Sequence, residues 1–350
     1  MNKEHDRLLA QIAALCTGDF EVDIVNIGKA LIVNFDLVHD DDFLLALEEE
    51  LHELYPEQQT KFREIFHRLD EETDDAFQAR MLELLADGEA HQARFEMEAF
   101  IRVMEEDFDS YHPKPYVKYL SIFDPLAYFS FKINERPGTH LVRTRRDYPS
   151  IYLTYAKILL ALNERKEAAE AYQQAILWNP YAVETIYELT KLYQDMEQFG
   201  MSYATLLNGL EYSLLRKNLA QGYYYLARFY DYKGKPEVSY QFYSISLDWQ
   251  DRKVVQREQE RLAEREPESA KIYNREDREA FMASYKVAGY PSAELQGQLL
   301  KFAQASMLLG DLEAAQCYFE TYADLYPEDT KAYERDLGQV RKIQQMLAYE

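Results

Sequence analysis

Apolar and polar positions alternate with a helical period along most of the chain, and in the second half that pattern recurs on a longer scale. The stretch from Pro149 to Pro180 is the clearest copy. Counted from Pro149 in a frame of about 34 residues, Tyr152, Tyr155, Ala156, Leu159, Ala168, Tyr172, Ala175 and Pro180 fall at places 4, 7, 8, 11, 20, 24, 27 and 32. Large residues at 4, 7, 11 and 24 supply two helices with apolar faces. Small ones at 8 and 20 let those helices approach closely, and the one at 27 receives the next helix. Proline at 32 ends the second helix, because it has no amide hydrogen to donate and clashes with the preceding turn.

The frame returns three more times. From Val183 it holds Ile186, Leu189, Tyr193 and Leu206 at the large places and Thr190, Ser202 and Gly209 at the small ones. From Ala220 it holds Tyr223, Leu226, Ala227, Tyr230, Ser239, Tyr243 and Ser246, with a turn built on Gly234 and Pro236. From Gln296 it holds Leu299, Phe302, Ala303, Gly310, Ala315, Phe319, Tyr322 and Pro327. Residues 252–295 break the pattern with two charged helices, read as a degenerate unit or an inserted hairpin. An amphipathic helix at 331–348 is expected to cap the last open apolar face.

These positions resemble the tetratricopeptide repeat, and the likeness covers about half the chain in units near 149–182, 183–219, 220–251 and 296–329. The resemblance implies an all-α fold, an α-solenoid of helical hairpins that works by binding other molecules. The arrangement also resembles bacterial proteins in which a divergent helical region precedes such units. Here residues 1–112 read as an acidic helical region, with Asp23–Phe35 compatible with a buried helix or a strand. The LYPEQ ending at Gln58 echoes LYPED at the end of the last unit, but Ile32 and Leu44 fill its small places poorly, so it is a hairpin related in shape only. Residues 113–148, rich in proline and aromatics, read as a connector whose aromatics dock against the first repeat. The connector carries a basic knot at His140, Arg143, Arg145 and Arg146, expected to pair with acidic neighbours or to recruit an anion.

Charge sharpens this picture. The net charge is −23, and residues 1–110 hold 9 Lys and Arg against 29 Asp and Glu. Such a chain is a poor ligand for nucleic acid or an anionic membrane, which carry the same sign. No apolar run reaches the length of a membrane span, and the acidic start argues against a secretory signal, so a cytoplasmic protein is expected. The two cysteines, Cys16 and Cys317, stand too far apart to suggest a zinc or disulfide framework. Phosphate-loop, dinucleotide and HExxH motifs are missing, and the seven histidines never fall at i, i+3 or i, i+4. Neither catalytic, cofactor nor metal residues are assigned, and a non-enzymatic protein is expected.

What remains is the inner groove that the resemblance implies, lined by places 2, 5, 6, 9, 12 and 13 of each first helix. Place 9 is basic three times running, at Lys157, Lys191 and Arg228, with Tyr187, Tyr224, Tyr225 and Tyr232 close to it in the frame. Cations flanked by tyrosines suit an extended protein or peptide segment with acidic side chains; the same cations would also serve to balance Glu184, Glu188 and Asp195 on their own helix. The family's carboxylate clamp for chaperone C-termini is not reproduced, since its places hold Leu153, Lys157, Glu188, Gln221 and Tyr225. A peptide-binding scaffold is the reading, with a peptide-sensing regulator and an accessory or assembly subunit of an enzyme complex as its rivals.

Overall fold

The computed structural model describes residues 3–18, 73–112, 114–271, 273–287 and 293–325, together with positions 22, 23, 26, 27, 30, 43, 46, 47, 50, 51, 54, 55 and 338. The expected capping helix at 331–348 and most of the ambiguous stretch at 23–35 lie outside the described residues. The chain forms two compact units: Met1–Tyr119 with Thr144–Ala175, and Leu120–Arg143 with Ile176–Glu350. Among the described residues the helices, in order, are α1 (Lys3–Leu15), α2 (Asp74–Ala86), α3 (Ala90–Glu106), α4 (Pro125–Asn134), α5 (Tyr148–Ala161), α6 (Arg165–Trp178), α7 (Val183–Asp195), α8 (Phe199–Glu211), α9 (Arg216–Tyr232), α10 (Pro236–Trp249), α11 (Lys253–Arg265), α12 (Arg275–Ser284), α13 (Ala293–Leu308) and α14 (Leu312–Leu325). Two four-residue strands, β1 (Val117–Leu120) and β2 (His140–Arg143), flank α4. The fold is all-α, and residues 150–250 hold helices and turns only.

The hairpins α5–α6, α7–α8, α9–α10 and α13–α14 all turn in the same way. Place 15 of each frame is a left-handed residue: Asn163, Glu197, Gly234 and Gly310, with φ of 59°, 58°, 65° and 78°. The next amide then donates back to the carbonyl at place 11: Glu164 to Leu159 at 2.8 Å, Gln198 to Tyr193 at 2.8 Å, Lys235 to Tyr230 at 2.9 Å and Asp311 to Ser306 at 2.9 Å. One left-handed residue thus satisfies a carbonyl that the helix end would leave orphaned.

Burial follows the frame as well. Ala156, Leu159, Ala168, Thr190, Ser202, Leu206, Leu226, Ala227, Ser239, Ser246, Leu299, Ala303, Ala315 and Phe319 have no measurable side-chain exposure to solvent. At two small places that carry a hydroxyl, the facing helix's backbone takes its proton: Ser239 Oγ donates to Ala227 O at 2.9 Å and Ser246 Oγ to Ala220 O at 2.6 Å, each across from α10 to α9. Glycine marks the tightest approaches. A Cβ on Gly209 would lie 2.5 Å from the Tyr187 ring, and one on Gly222 would lie 2.4 Å from Leu210 Cδ2 and from the Tyr187 hydroxyl.

In the first unit, α2 and α3 make a fifth hairpin of the same kind. Counted from Asp74, Gly88 takes place 15 with φ of 85°, and Glu89 N donates to Leu84 O at 2.8 Å. Phe77, Met81, Ala93, Met97 and Phe100 occupy places 4, 8, 20, 24 and 27, all buried. The sequence reads this stretch as part of an acidic helical region, without a repeat. Helix α5 packs on both of its helices. Gln78 of α2 accepts from Ser150 Oγ at 2.7 Å and Thr154 Oγ1 at 3.1 Å, while Tyr152 and Tyr155 donate to Glu105 and Glu98 of α3 at 2.7 and 2.8 Å. Part of the basic knot pairs with acid as expected, with Arg146 on Asp74 at 2.6 Å.

Farther upstream, Leu8, Leu9, Ile12, Ile27, Phe43, Leu47, Leu51, Tyr55 and Phe95 form a separate apolar cluster. Beside it Asp23 is fully buried as an acceptor. It takes hydrogen bonds from Thr17 N at 2.7 Å, Thr17 Oγ1 at 2.8 Å, Gly18 N at 2.8 Å and the Tyr55 hydroxyl. Burial alone would raise this carboxyl, but the donors from Tyr55, Thr17 and Gly18 outweigh it and hold the group below the ordinary carboxylate range.

Aromatics of the connector and of the residues just before it pack separately. Phe108 and Tyr111, upstream of the connector, meet Tyr148 at the start of the first repeat, edge-on at 5.0 and 6.1 Å. Helix α4 goes elsewhere: Phe129 packs edge-on against Phe302 at 5.0 Å and lies 6.0 Å from the Tyr318 ring, and the Tyr318 hydroxyl donates to Pro125 O at 2.9 Å. The expectation that the connector's aromatics dock on the first repeat holds for Phe131, which lies edge-on to Tyr181 at 6.3 Å. Phe129 instead packs on the aromatic face of α13 and α14.

Two substitutions are expected to move stability in opposite directions. Glu197→Gly relieves a left-handed non-glycine residue and should stabilise by about 0.5–1 kcal/mol. Gly209→Ala drives a methyl into the Tyr187 ring and should cost about 1–3 kcal/mol. Chemical denaturation of both variants checks the pair, and a stabilising Gly209→Ala would contradict the packing. The depressed Asp23 carboxyl contributes stability that is complete above its unfolded value of about 3.9 and is lost as pH falls through its lower folded value. Wild type should therefore lose more stability than Asp23→Asn between pH values near 6 and near 3, followed by melting at each pH. Equal losses would show that the carboxylate is not the titrating group.

Candidate functional site

The second unit packs α9 against α7, α8 and α10, with α11 on α10, and three of the seven groove residues expected from the sequence lie together on this face. Helix α9 is long enough, at 17 residues, to bury Tyr223, Leu226 and Tyr230 on one side and carry Gln221, Tyr224, Arg228 and Tyr232 along another. Arg252, at the start of α11, completes the group.

Tyr224 is half-buried, and two guanidinium groups, Arg228 and Arg252, each lie 5.9 Å from its ring centre. Arg252 donates to the Gln221 side chain. Among the described residues neither arginine has a carboxylate partner. Burial pushes the Tyr224 hydroxyl up and the two arginines partly offset it. Farther along the face a cleft of about 460 Å³ opens between Arg228, Tyr232, Tyr243, Glu258, Arg261 and Arg265. Arg265 pairs with Asp231 across helices, and Arg261 with Glu258 on its own helix at 2.5 Å. Tyr232 is 57% exposed and lies flat on Phe199, with ring centres 3.4 Å apart.

Of the seven residues read from the sequence, Tyr224, Arg228 and Tyr232 come together here. Lys191 is exposed on the neighbouring α7 and makes no ion pair with a described residue. Its expected balancing partner Glu184 instead meets Lys217 at 3.3 Å and Asn218 at 3.1 Å. Lys157 is exposed on α5, in the first unit. Tyr187 and Tyr225 are corrected: both belong to the core, 4% and 5% exposed, with ring centres 5.9 Å apart. Gly209 and Gly222 leave the hollow that takes the Tyr187 ring, and its hydroxyl is shared with Ser213 Oγ at 2.8 Å. Burial pushes that hydroxyl far above its ordinary value.

Arg252, Arg261 and Arg265 were missed, because they fall in the segment that breaks the repeat frame. Their signal was a thin one: Val255 and Leu262, seven residues apart, are the two buried residues of an otherwise charged helix. Among the described residues no group of three His, Cys, Asp or Glu is placed to hold a metal, and no helix is long and apolar enough to cross a membrane.

No protein-family model matches the chain, and no curated protein matches it. Among solved structures it is similar to one described as the functional characterization of Pseudomonas aeruginosa PilF, at 16% identity and a TM-score of 0.38, covering 75% of this chain and 96% of that one. It is also similar to the C-terminal part of a TPR repeat-containing protein from Cytophaga hutchinsonii, at 12% identity and a TM-score of 0.39, covering 89% and 98%. At these scores neither adds to what the helices establish. The repeat character rests on the chain's own turns and packing positions.

Proposed function

We propose that this chain is a non-enzymatic scaffold that binds an acidic protein or peptide segment along the face of α7, α9 and α11. The observation that carries the reading is the pair Arg228 and Arg252 on one tyrosine ring without a carboxylate between them. Elsewhere on this chain arginines find acid readily, as Arg80 does with Glu96, Arg94 with Glu98 and Glu164, and Arg278 with Asp248. An incoming carboxylate that meets either guanidinium would gain about 1–4 kcal/mol of attraction at 4 Å near a protein surface. Tyr232, 57% exposed, offers the ring face that Phe199 leaves open to the rest of the segment, and Lys191 extends the positive row.

A short fluorescent Glu-rich peptide, compared by anisotropy with its Lys-substituted counterpart, tests the reading. The acidic peptide should bind saturably and the basic one should not. Arg228→Ala with Arg252→Ala should weaken binding by about ten-fold or more, at unchanged helicity. Undiminished affinity in that variant, or equal binding of the two peptides, would remove this face from the function.

A further inference from the structure

The groove does not absorb the other half of the basic knot. Helix α4 starts on Asp124, whose carboxylate accepts the Ala127 amide at 2.7 Å, and ends at Asn134. A turn with Gly138 in the left-handed region, φ 87°, returns the chain as β2. Phe131 is buried, and Tyr128 and Leu141 pack against the same cluster as its neighbours. That apolar contact fixes the spacing of the polar groups around it. Over it lies a cleft of about 350 Å³, lined also by Lys132, Thr139, His140 and Arg143.

All the ionisable groups in this lining, apart from the Tyr128 phenol, are basic, in a chain whose net charge is −23. The carboxylates nearest in sequence are already engaged. Asp124 caps α4, and Glu135 accepts the Tyr181 hydroxyl at 2.8 Å. Lys132, His140 and Arg143 have no carboxylate partner among the described residues. By contrast Arg146, three residues past β2, is neutralised by Asp74. The cleft therefore presents an ammonium, a guanidinium and an imidazole with the Thr139 and Tyr128 hydroxyls, and no acid to compete with a ligand.

We propose that this cleft is a binding site for a small molecule bearing a phosphoryl group. A guanidinium offers two parallel N–H donors that match a phosphoryl edge, and a lysine adds a mobile point charge. Hydroxyl donors complete the oxygens, and the Phe131–Leu141 floor takes an apolar portion of the ligand. The volume is at the lower end of the range for small-ligand pockets, about 300–1,000 Å³.

Titration calorimetry on the full chain with inorganic pyrophosphate, and with citrate as a carboxylate of similar charge, tests the site. Pyrophosphate should bind at one site per chain and more tightly than citrate. Lys132→Gln with Arg143→Gln should weaken pyrophosphate by about ten-fold or more. Lys253→Gln with Lys301→Gln, which removes the same charge from exposed positions elsewhere, should leave it unchanged. All four positions are exposed, so helicity by circular dichroism should be constant, and Lys132→Gln alone serves should the double variant fail to fold. Lack of saturable binding, equal weakening by both double variants, or a preference for citrate would each overturn the proposal. The peptide-face variant Arg228→Ala with Arg252→Ala should bind pyrophosphate as wild type does.

Discussion

Close approach between paired helices is the constraint on which the rest of the structure depends. From Pro149 on it is met at places 8 and 20 of each hairpin frame, which hold nothing larger than a threonine. Serine serves there as well as alanine, because a carbonyl already bonded within its helix has a second lone pair to offer a hydroxyl. Ser239 and Ser246 use that capacity to tie α10 to α9, and Thr190 turns its hydroxyl onto Ile186 O of its own helix at 2.8 Å. Larger residues then interlock on either side, and the aromatic surplus of the chain becomes intelligible as filler between hairpins set at fixed spacing.

The acidic surplus has a structural share too. Glu98 and Glu105 receive the hydroxyls of Tyr155 and Tyr152, while Asp23 receives that of Tyr55 and Glu96 receives Arg80. Burial, with these carboxylates beside them, drives the Tyr152 and Tyr155 hydroxyls far above their ordinary value. Part of the acidic bias along residues 1–110 is thus an acceptor set, serving the polar tips of rings whose bodies are buried and one arginine.

The packing positions of the second half were legible because size alone defines them: Ala156, Ala168, Leu206, Ala227 and Phe319 are buried as their places require. The hairpin of α2 and α3 was not, since Arg80 and Met81 stand where the frame wants a large apolar and a small residue. Gly88 stands in the sequence at the turn, yet one glycine does not identify a repeat. At the candidate face the frame placed Tyr224, Arg228 and Tyr232 correctly on α9. It misjudged Tyr187 and Tyr225 because places 5 and 6 face the groove only when the facing helices leave no hollow. Gly209 and Gly222 were visible in the sequence, but what they make room for depends on helix pairs that no single-helix count contains.

The attachment of α4 to α13 and α14 changes how the second unit must behave as a polymer. A solenoid whose repeats touch only their neighbours can lose an end repeat and keep the remainder, its stability being close to a sum over links. Here a ten-residue helix reaches a hairpin some 190 residues downstream, joined by the Tyr318 hydroxyl and the Phe129 ring. That bond closes the string into a loop. Ring closure of this span carries an entropic toll early and returns it late, so the unit should melt as one block, and trimming its C-terminal hairpin would unsettle the polypeptide at both ends of the array.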